Sequence, residues 1–145
     1  MSGNGRRDIL KELTVAATLE NIPVVTAFID EQLEALDCPM KAQMQIDVAI
    51  DELFGNIARY AYGDGTGDAT VRFEFDERTR TVSITFVDGG VPFDPLQKPD
   101  PDVTLAAEER AIGGLGIFMV KKTMDRLEYS YENGLNILKI HKYIA

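Results

Sequence analysis

Apolar residues recur along this chain with two different periods, and the switches between them mark out its elements. Leu13, Val15, Ala17 and Leu19 alternate with polar or small neighbours, which predicts a first strand. Asn21 and Pro23 have the order of a helix cap and first turn. A helix is expected from there to about Leu36, with Val24, Phe28, Leu33 and Leu36 facing inward, before Asp37, Cys38 and Pro39 break it. From about Met40 to Tyr62, Ile46, Ala49, Ile50, Leu53 and Ile57 return at spacings of three and four, the stripe of a longer amphipathic helix. Gly63, Gly65 and Gly67 end it. Val71, Phe73 and Phe75, then Val82, Ile84 and Phe86, alternate on either side of a charged turn, which predicts a hairpin. Residues 91–112 are acidic and Pro-rich with no steady period, and a loop of that length inside a compact domain is expected to be a lid. A helix begins near Gly114. Leu127, Tyr129 and Tyr131 then alternate up to Asn133 and Gly134, a strong hairpin signal, and a last strand carries Ile137. The order predicts an α+β fold: a two-layer sandwich with a mixed, mostly antiparallel five-stranded sheet and helices on one face.

Composition narrows the functions open to such a fold. At 145 residues the chain is expected to be a single domain over 1–145, long enough for a substantial core. A net charge of −9 argues against direct contact with nucleic acid, which needs a basic surface, and suits protein partners that carry basic patches. One cysteine, Cys38, excludes an intramolecular disulfide. No apolar run has the length of a membrane span, and the N-terminal MSGNGRRDILKEL lacks the apolar centre of a signal peptide, so a cytoplasmic protein is expected. The single histidine, His141, excludes multi-histidine metal sites, and no Ser-His-Asp arrangement is expected around it.

Three segments hold the candidate chemistry. In DELFGNIARYAY, Glu52 and Asn56 lie four apart on the shoulder of the helix stripe, whereas Asp47 and Asp51 are expected to point from its other side to solvent. An amide oxygen can bind Mg²⁺, and a carboxylate can take a proton from an attacking hydroxyl; a solvated Glu and a surface Asn are the plain alternative. In VDGGVPFDP, Asp88 at a strand end can accept the exocyclic amine of adenine, and Gly90 lets the backbone approach a flat base; the alternative is an ordinary turn. In GGLGIFMVKK, backbone N–H groups of Gly113, Gly114, Leu115 and Gly116 can cradle phosphate at a helix start, or merely begin a helix. Arg110, just before them, can reach a terminal phosphate or be a surface residue. Lys121, Lys122, His141 and Cys38 are expected to be structural or solubilising.

Taken in order, these motifs resemble the superfamily that unites gyrase, heat-shock chaperone, histidine-kinase and mismatch-repair ATPase domains, the Bergerat-fold or GHKL ATPases. Glu52 and Asn56 match its Glu-x-x-x-Asn helix, Asp88 and Gly90 its Asp-x-Gly box, and Gly114 and Gly116 its Gly-x-Gly helix start. The resemblance covers nearly the whole chain and is greatest to the small anti-sigma-factor serine/threonine kinases, whose third box is similar to GGLGIFMVKKTMDRLEY. It implies ATP and Mg²⁺ as cofactors and transfer of the γ-phosphoryl group to a serine or threonine of a small anti-sigma-factor antagonist. It also implies sequestration of a sigma factor and a homodimer. Glu52 would be the catalytic base and Asn56 the metal ligand. Asp88 and Gly90 would hold the base, and Arg110, Gly113, Gly114, Leu115 and Gly116 the phosphates. Three positions depart from the pattern. Pro92 replaces the last glycine of the second box, Tyr60 stands where many relatives carry histidine, and Ala111 and Ile112 separate Arg110 from the glycines. The alternative is a non-catalytic nucleotide-binding module that sequesters its partner. A histidine-kinase catalytic half would need a helix-borne acceptor histidine, whereas His141 is expected on a strand.

Overall fold

The computed structural model describes residues 8–97 and 114–144. Its sheet has five strands: β1 (Ile9–Ala16), β2 (Asp68–Asp76), β3 (Thr81–Asp88), β4 (Arg126–Glu132) and β5 (Leu135–Tyr143). They lie in the order β1-β2-β3-β5-β4, and every neighbouring pair is antiparallel. The expected mixed sheet is therefore antiparallel throughout its described strands. The helices are α1 (Ile22–Ala35), α2 (Met40–Tyr60) and α3 (Gly114–Thr123).

Strand alternation decides which face the helices cover. Val71, Phe73 and Phe75 on β2, Val82, Ile84 and Phe86 on β3, and Leu138 and Ile140 on β5 point one way and are buried. They meet Val25, Ile29 and Leu33 of α1, Ile46, Ala49, Ile50 and Leu53 of α2, and Ile117 and Val120 of α3 in one continuous core. The intervening residues form the open face, where polar cross-strand pairs replace packing. Arg72 Nε lies 2.9 Å from Glu12, and Lys139 Nζ lies 3.5 Å from Glu74. On that face Ser83 Oγ, His141 and Glu128 form a chain, at 2.7 Å to His141 Nδ1 and 2.5 Å from His141 Nε2 to the carboxylate. A Ser-His-acid arrangement thus does exist, contrary to expectation. Its serine points away from the helix-covered side and ties β3, β5 and β4 together. The hydrogen bond from His141 holds the Glu128 carboxyl below its ordinary range.

The connections use local chemistry. Asn133 and Gly134 have φ of 53° and 78°, the two left-handed residues that a two-residue hairpin turn needs. Asp37, at φ 55°, closes α1: the Cys38 N–H reaches Leu33 O at 3.0 Å and the Asp37 N–H reaches Glu34 O at 3.1 Å, satisfying the last carbonyls of the helix. Asn21 precedes α1 but its side chain turns back to Ala16 O at 2.8 Å instead of capping the helix. Cys38 is half-buried, and burial raises its thiol pKa, in keeping with a packing role.

Two sequence expectations about helix faces are corrected. Val24 is 45% exposed, and Val25, Ile29 and Leu33 form the inner stripe of α1. Asp47 does not project to solvent; it interacts with Asp30 of α1, and one carboxyl oxygen of each is buried with no hydrogen-bond partner. Burial first, then the Asp30 hydrogen bond and the charges of Asp30 and Glu34, push Asp47 up to about 7. A carboxyl with a raised folded pKa binds its proton more tightly in the native state. Its contribution is therefore present at low pH and lost as pH rises towards about 7. Asp47→Asn should raise the melting temperature more at pH 8 than at pH 5. Thermal scans at both values check this, and an equal change at both would show that the pair does not titrate in this window.

Candidate active site

The end of β3 meets the C-terminal half of α2 beside β5, and the candidate residues gather there. The Val91 N–H donates to Ala61 O at 2.8 Å, joining the segment after β3 to the end of α2. A Cβ on Gly90 would lie 2.1 Å from Ala61 O and 2.4 Å from its carbonyl carbon. The space that Gly90 leaves is thus taken by the α2 backbone, rather than by the flat base its sequence position suggested. Gly90→Ala should cost roughly 1–3 kcal/mol by overpacking against an atom that cannot rotate away. At Gly89 the nearest atoms are 3.8 Å from such a Cβ, so Gly89→Ala should be nearly neutral. Thermal unfolding of the two variants checks the contrast.

Asp88 is 5% exposed, and its Oδ1 accepts the Gly90 N–H at 2.9 Å and Asn136 Nδ2 at 3.0 Å. Asn136, opposite Asp88 on β5 and also 5% exposed, is a residue that sequence reasoning missed. Its Nδ2 also donates to Val91 O at 2.8 Å, and its Oδ1 accepts the Tyr129 hydroxyl at 2.5 Å and the Phe93 N–H at 3.1 Å. Both donors and both lone pairs of one amide are thereby used, which fixes Asp88 and the Val91–Phe93 backbone together. Burial, chiefly, raises the Tyr129 hydroxyl above its ordinary range. The available signal was positional. Asn136, Leu138 and Ile140 share one face of β5, and a lone amide on a core-facing stripe calls for partners.

A narrow, mostly apolar pocket opens above this network. Leu53, Asn56, Ile57 and Ala61 of α2 form one wall; Phe86, Val91, Phe93 and Leu138 supply further apolar surface, with Asp88 and Asn136 as polar points. An apolar slot with a few fixed polar groups suits a single flat base. Tyr60 packs against Phe93 at a ring separation of 6.0 Å, with half its own surface exposed.

Glu52 and Asn56 do share one side of α2. Asn56 Nδ2 donates to Glu52 Oε2 at 3.3 Å, which leaves the amide oxygen as the end available for a metal. Asn56 lines the pocket. The Glu52 carboxylate lies over the start of α3, where a Cβ on Gly116 would come within 2.0 Å of Oε1. Gly116 is therefore needed for Glu52 to sit against the first turn of α3, where the helix dipole is positive. Gly114 opens α3, and Leu115 is helical in its backbone. Arg110, Gly113 and most of the expected lid lie outside the described residues; the described beginning of that segment makes a short 3₁₀ turn at Pro95–Gln97. Among the described residues, no group of three or more histidines, cysteines or carboxylates could hold a metal ion.

An antiparallel sheet covered on one face, with an apolar pocket that holds a buried aspartate between it and a Glu/Asn helix, defines an ATPase domain of the GHKL architecture. The sequence model for the histidine kinase-like ATPase domain matches residues 15–142, and the chain belongs to that family. Among curated proteins it is 25% identical to the serine/threonine-protein kinase BtrW of Bordetella bronchiseptica, over 72% of this chain and 73% of that one. It is 32% identical to the serine-protein kinase RsbW of Listeria monocytogenes, over 68% of this chain and 64% of that one. With RsbW of Bacillus cereus the identity is 31%, over 67% and 61%. The chain thus spans less than two thirds of the RsbW kinases it matches. A solved structure of the RsbU and RsbW domains of a Mycobacterium tuberculosis protein superposes with a TM-score of 0.66 at 15% identity, covering 94% of this chain and 32% of that one, and bears on the fold.

Proposed function

We propose that this chain is a cytoplasmic ATP-dependent serine/threonine protein kinase that phosphorylates a small anti-sigma-factor antagonist and sequesters a sigma factor. The observation that carries the reading is the bridge made by α2. One of its sides places Asn56 in the Asp88 pocket and Glu52 over the start of α3, so a base site and a phosphate site are joined by one hydrogen-bonded pair. The names of the relatives agree with it, since those proteins are serine or serine/threonine kinases. Among the described residues, no helix is long and apolar enough to cross a membrane.

Each residue then has a part. Asp88 has Oδ1 committed to Gly90 and Asn136, which leaves Oδ2 to accept the adenine amine. The first turn of α3, from Gly114 and Leu115 to Gly116, presents backbone N–H groups to phosphate, with Gly113 and Arg110 ahead of it. Asn56 would hold Mg²⁺ through its amide oxygen, an oxygen donor of the kind that ion takes. Bound there, Mg²⁺ would neutralise charge on the phosphates. Glu52 accepts the proton of the acceptor hydroxyl as its oxygen bonds to the γ-phosphorus and the bond from that phosphorus to the ADP oxygen breaks. Positioning and charge neutralisation supply most of the rate in such transfers.

The direct test is incubation of the purified chain with γ-labelled ATP and a candidate small antagonist, followed by mapping of the labelled residue. A stable phosphoserine or phosphothreonine on the antagonist is expected. Binding of ATP and a sigma factor without transfer to any protein would replace the kinase with the sequestering module.

A further inference from the structure

The outer side of α2 and α3 carries a groove unused by the nucleotide site. Met40, Met44 and Val48 stand on successive turns of α2 and are 69%, 60% and 55% exposed; Met119 of α3, at 44%, lines the same groove. Together with Lys41, Gln45 and Thr123 they border a depression of ≈ 520 Å³, and none of these residues lines the Asp88 pocket. Ile46, Ala49, Ile50 and Leu53 occupy the opposite, buried side of α2. This helix is therefore apolar on two sides, one of which no described residue covers. Single exposed apolar residues are ordinary, but four lining one groove mark an interaction surface. Three of the five methionines in the chain line it, and their unbranched, polarizable side chains adapt to a partner's shape.

Charge indicates the kind of partner. The chain carries −9 overall, yet one end of the groove is positive. A second hollow adjoins it there, sharing Lys41 and Gln45 and adding Lys142. The Lys142 ammonium is held in place by donating to Thr123 O at 2.6 Å, at the end of α3. The start of α2 has neither a side-chain cap nor an acidic residue in its first turn, so its free N–H groups and dipole add to the same sign. Two nearby carboxylates are engaged, since Asp125 accepts the Tyr143 N–H at 2.6 Å and Glu34 accepts from Gln43 Nε2 at 3.2 Å, while Asp37 is exposed before the start of α2. Asp51 is exposed one turn beyond Val48, at the far end.

We propose that this groove docks an amphipathic helix of a partner protein. The apolar face of that helix would lie on Met40, Met44, Val48 and Met119, and an acidic residue near one end would meet Lys41, Lys142 and the start of α2. Helix-in-groove binding of this kind reads apolar anchors at helical spacing, with flanking charge setting orientation. A second copy of this chain is the poorer occupant, because a concave surface is not complementary to its own twofold mate. The inference stands apart from phosphoryl transfer and holds for a kinase or a sequestering module alike.

The test uses the full chain with ¹³C-methyl methionine and a synthetic helical peptide of about 18 residues. The peptide carries leucines at helical spacing and glutamates at one end; a control replaces the glutamates by lysines. The acidic peptide should shift the Met40, Met44 and Met119 methyl signals and leave the core residue Met124 unmoved. The basic control should bind about tenfold more weakly, and Lys41→Glu should reverse that preference. Met44→Glu should abolish binding of both peptides while ADP binding, measured on the same sample, shows the fold intact. Unmoved groove methyls, equal affinity for the two peptides, or shifts that follow protein concentration without peptide would overturn the proposal, the last in favour of self-association.

Discussion

Glu52→Gln should lower phosphoryl transfer to a protein serine or threonine by roughly 10²–10⁴-fold, the usual worth of a positioned general base, with ATP affinity nearly unchanged. The substitution keeps the shape of the side chain and its oxygen facing Asn56 Nδ2, now 3.3 Å from Glu52. It also fits the space over Gly116, and what it removes is the capacity to take a proton. Asn56→Ala should fail in another way. It takes away an amide oxygen inside the pocket, so Mg-ATP binding itself weakens, and the loss shrinks when Mg²⁺ is omitted. Single-turnover transfer and calorimetry on the same preparations separate the two effects. A Glu52→Gln enzyme that transfers phosphate at the wild-type rate would remove Glu52 from the chemistry.

Asp88→Asn should cost about 1–3 kcal/mol in ADP binding, or roughly 5- to 150-fold in affinity, because it leaves a buried donor facing another donor. The surroundings leave the new amide no good orientation. If its oxygen stays with the Gly90 N–H and Asn136 Nδ2, its NH₂ confronts the adenine amine; if it flips, the NH₂ confronts those two donors instead. Titration calorimetry with ADP gives the number, and a melting curve shows that the variant is folded. Unchanged affinity in a folded variant would mean that adenine is not read by this carboxylate.

Much of this fold was legible because the relevant signals are short-ranged. Val71, Phe73 and Phe75 declare a strand by alternation, and the same pattern sets which side of the sheet is buried. The turn residues Asn133 and Gly134 specify a left-handed pair by their own conformational preferences. The long stripe of α2 outweighs its local irregularities, and Glu52 and Asn56 are neighbours on any helix that includes both. Less was legible where the pattern was thin. β1 begins at Ile9, earlier than Leu13, because an edge strand buries only part of one face and Leu10 is 66% exposed. On α1, Val24 and Val25 are adjacent apolar positions, and only packing against α2 and the sheet buries Val25 with Ile29, leaves Phe28 partly buried against the same core and exposes Val24.

From its sequence alone the chain determines its elements, their order and the residue types on which the proposed adenine, phosphate and Mg²⁺ contacts depend, since these lie a few positions apart. The tertiary structure decided which of them meet. Sheet register sets Asn136 opposite Asp88 and makes it the hub of the pocket, across 48 residues of chain. Helix packing brings Asp30 against Asp47 and Glu52 against Gly116. It also gives Gly90 its reason, the approach of the Ala61 carbonyl, because contacts between distant segments are fixed by the packing of whole elements rather than by the local preferences of either partner.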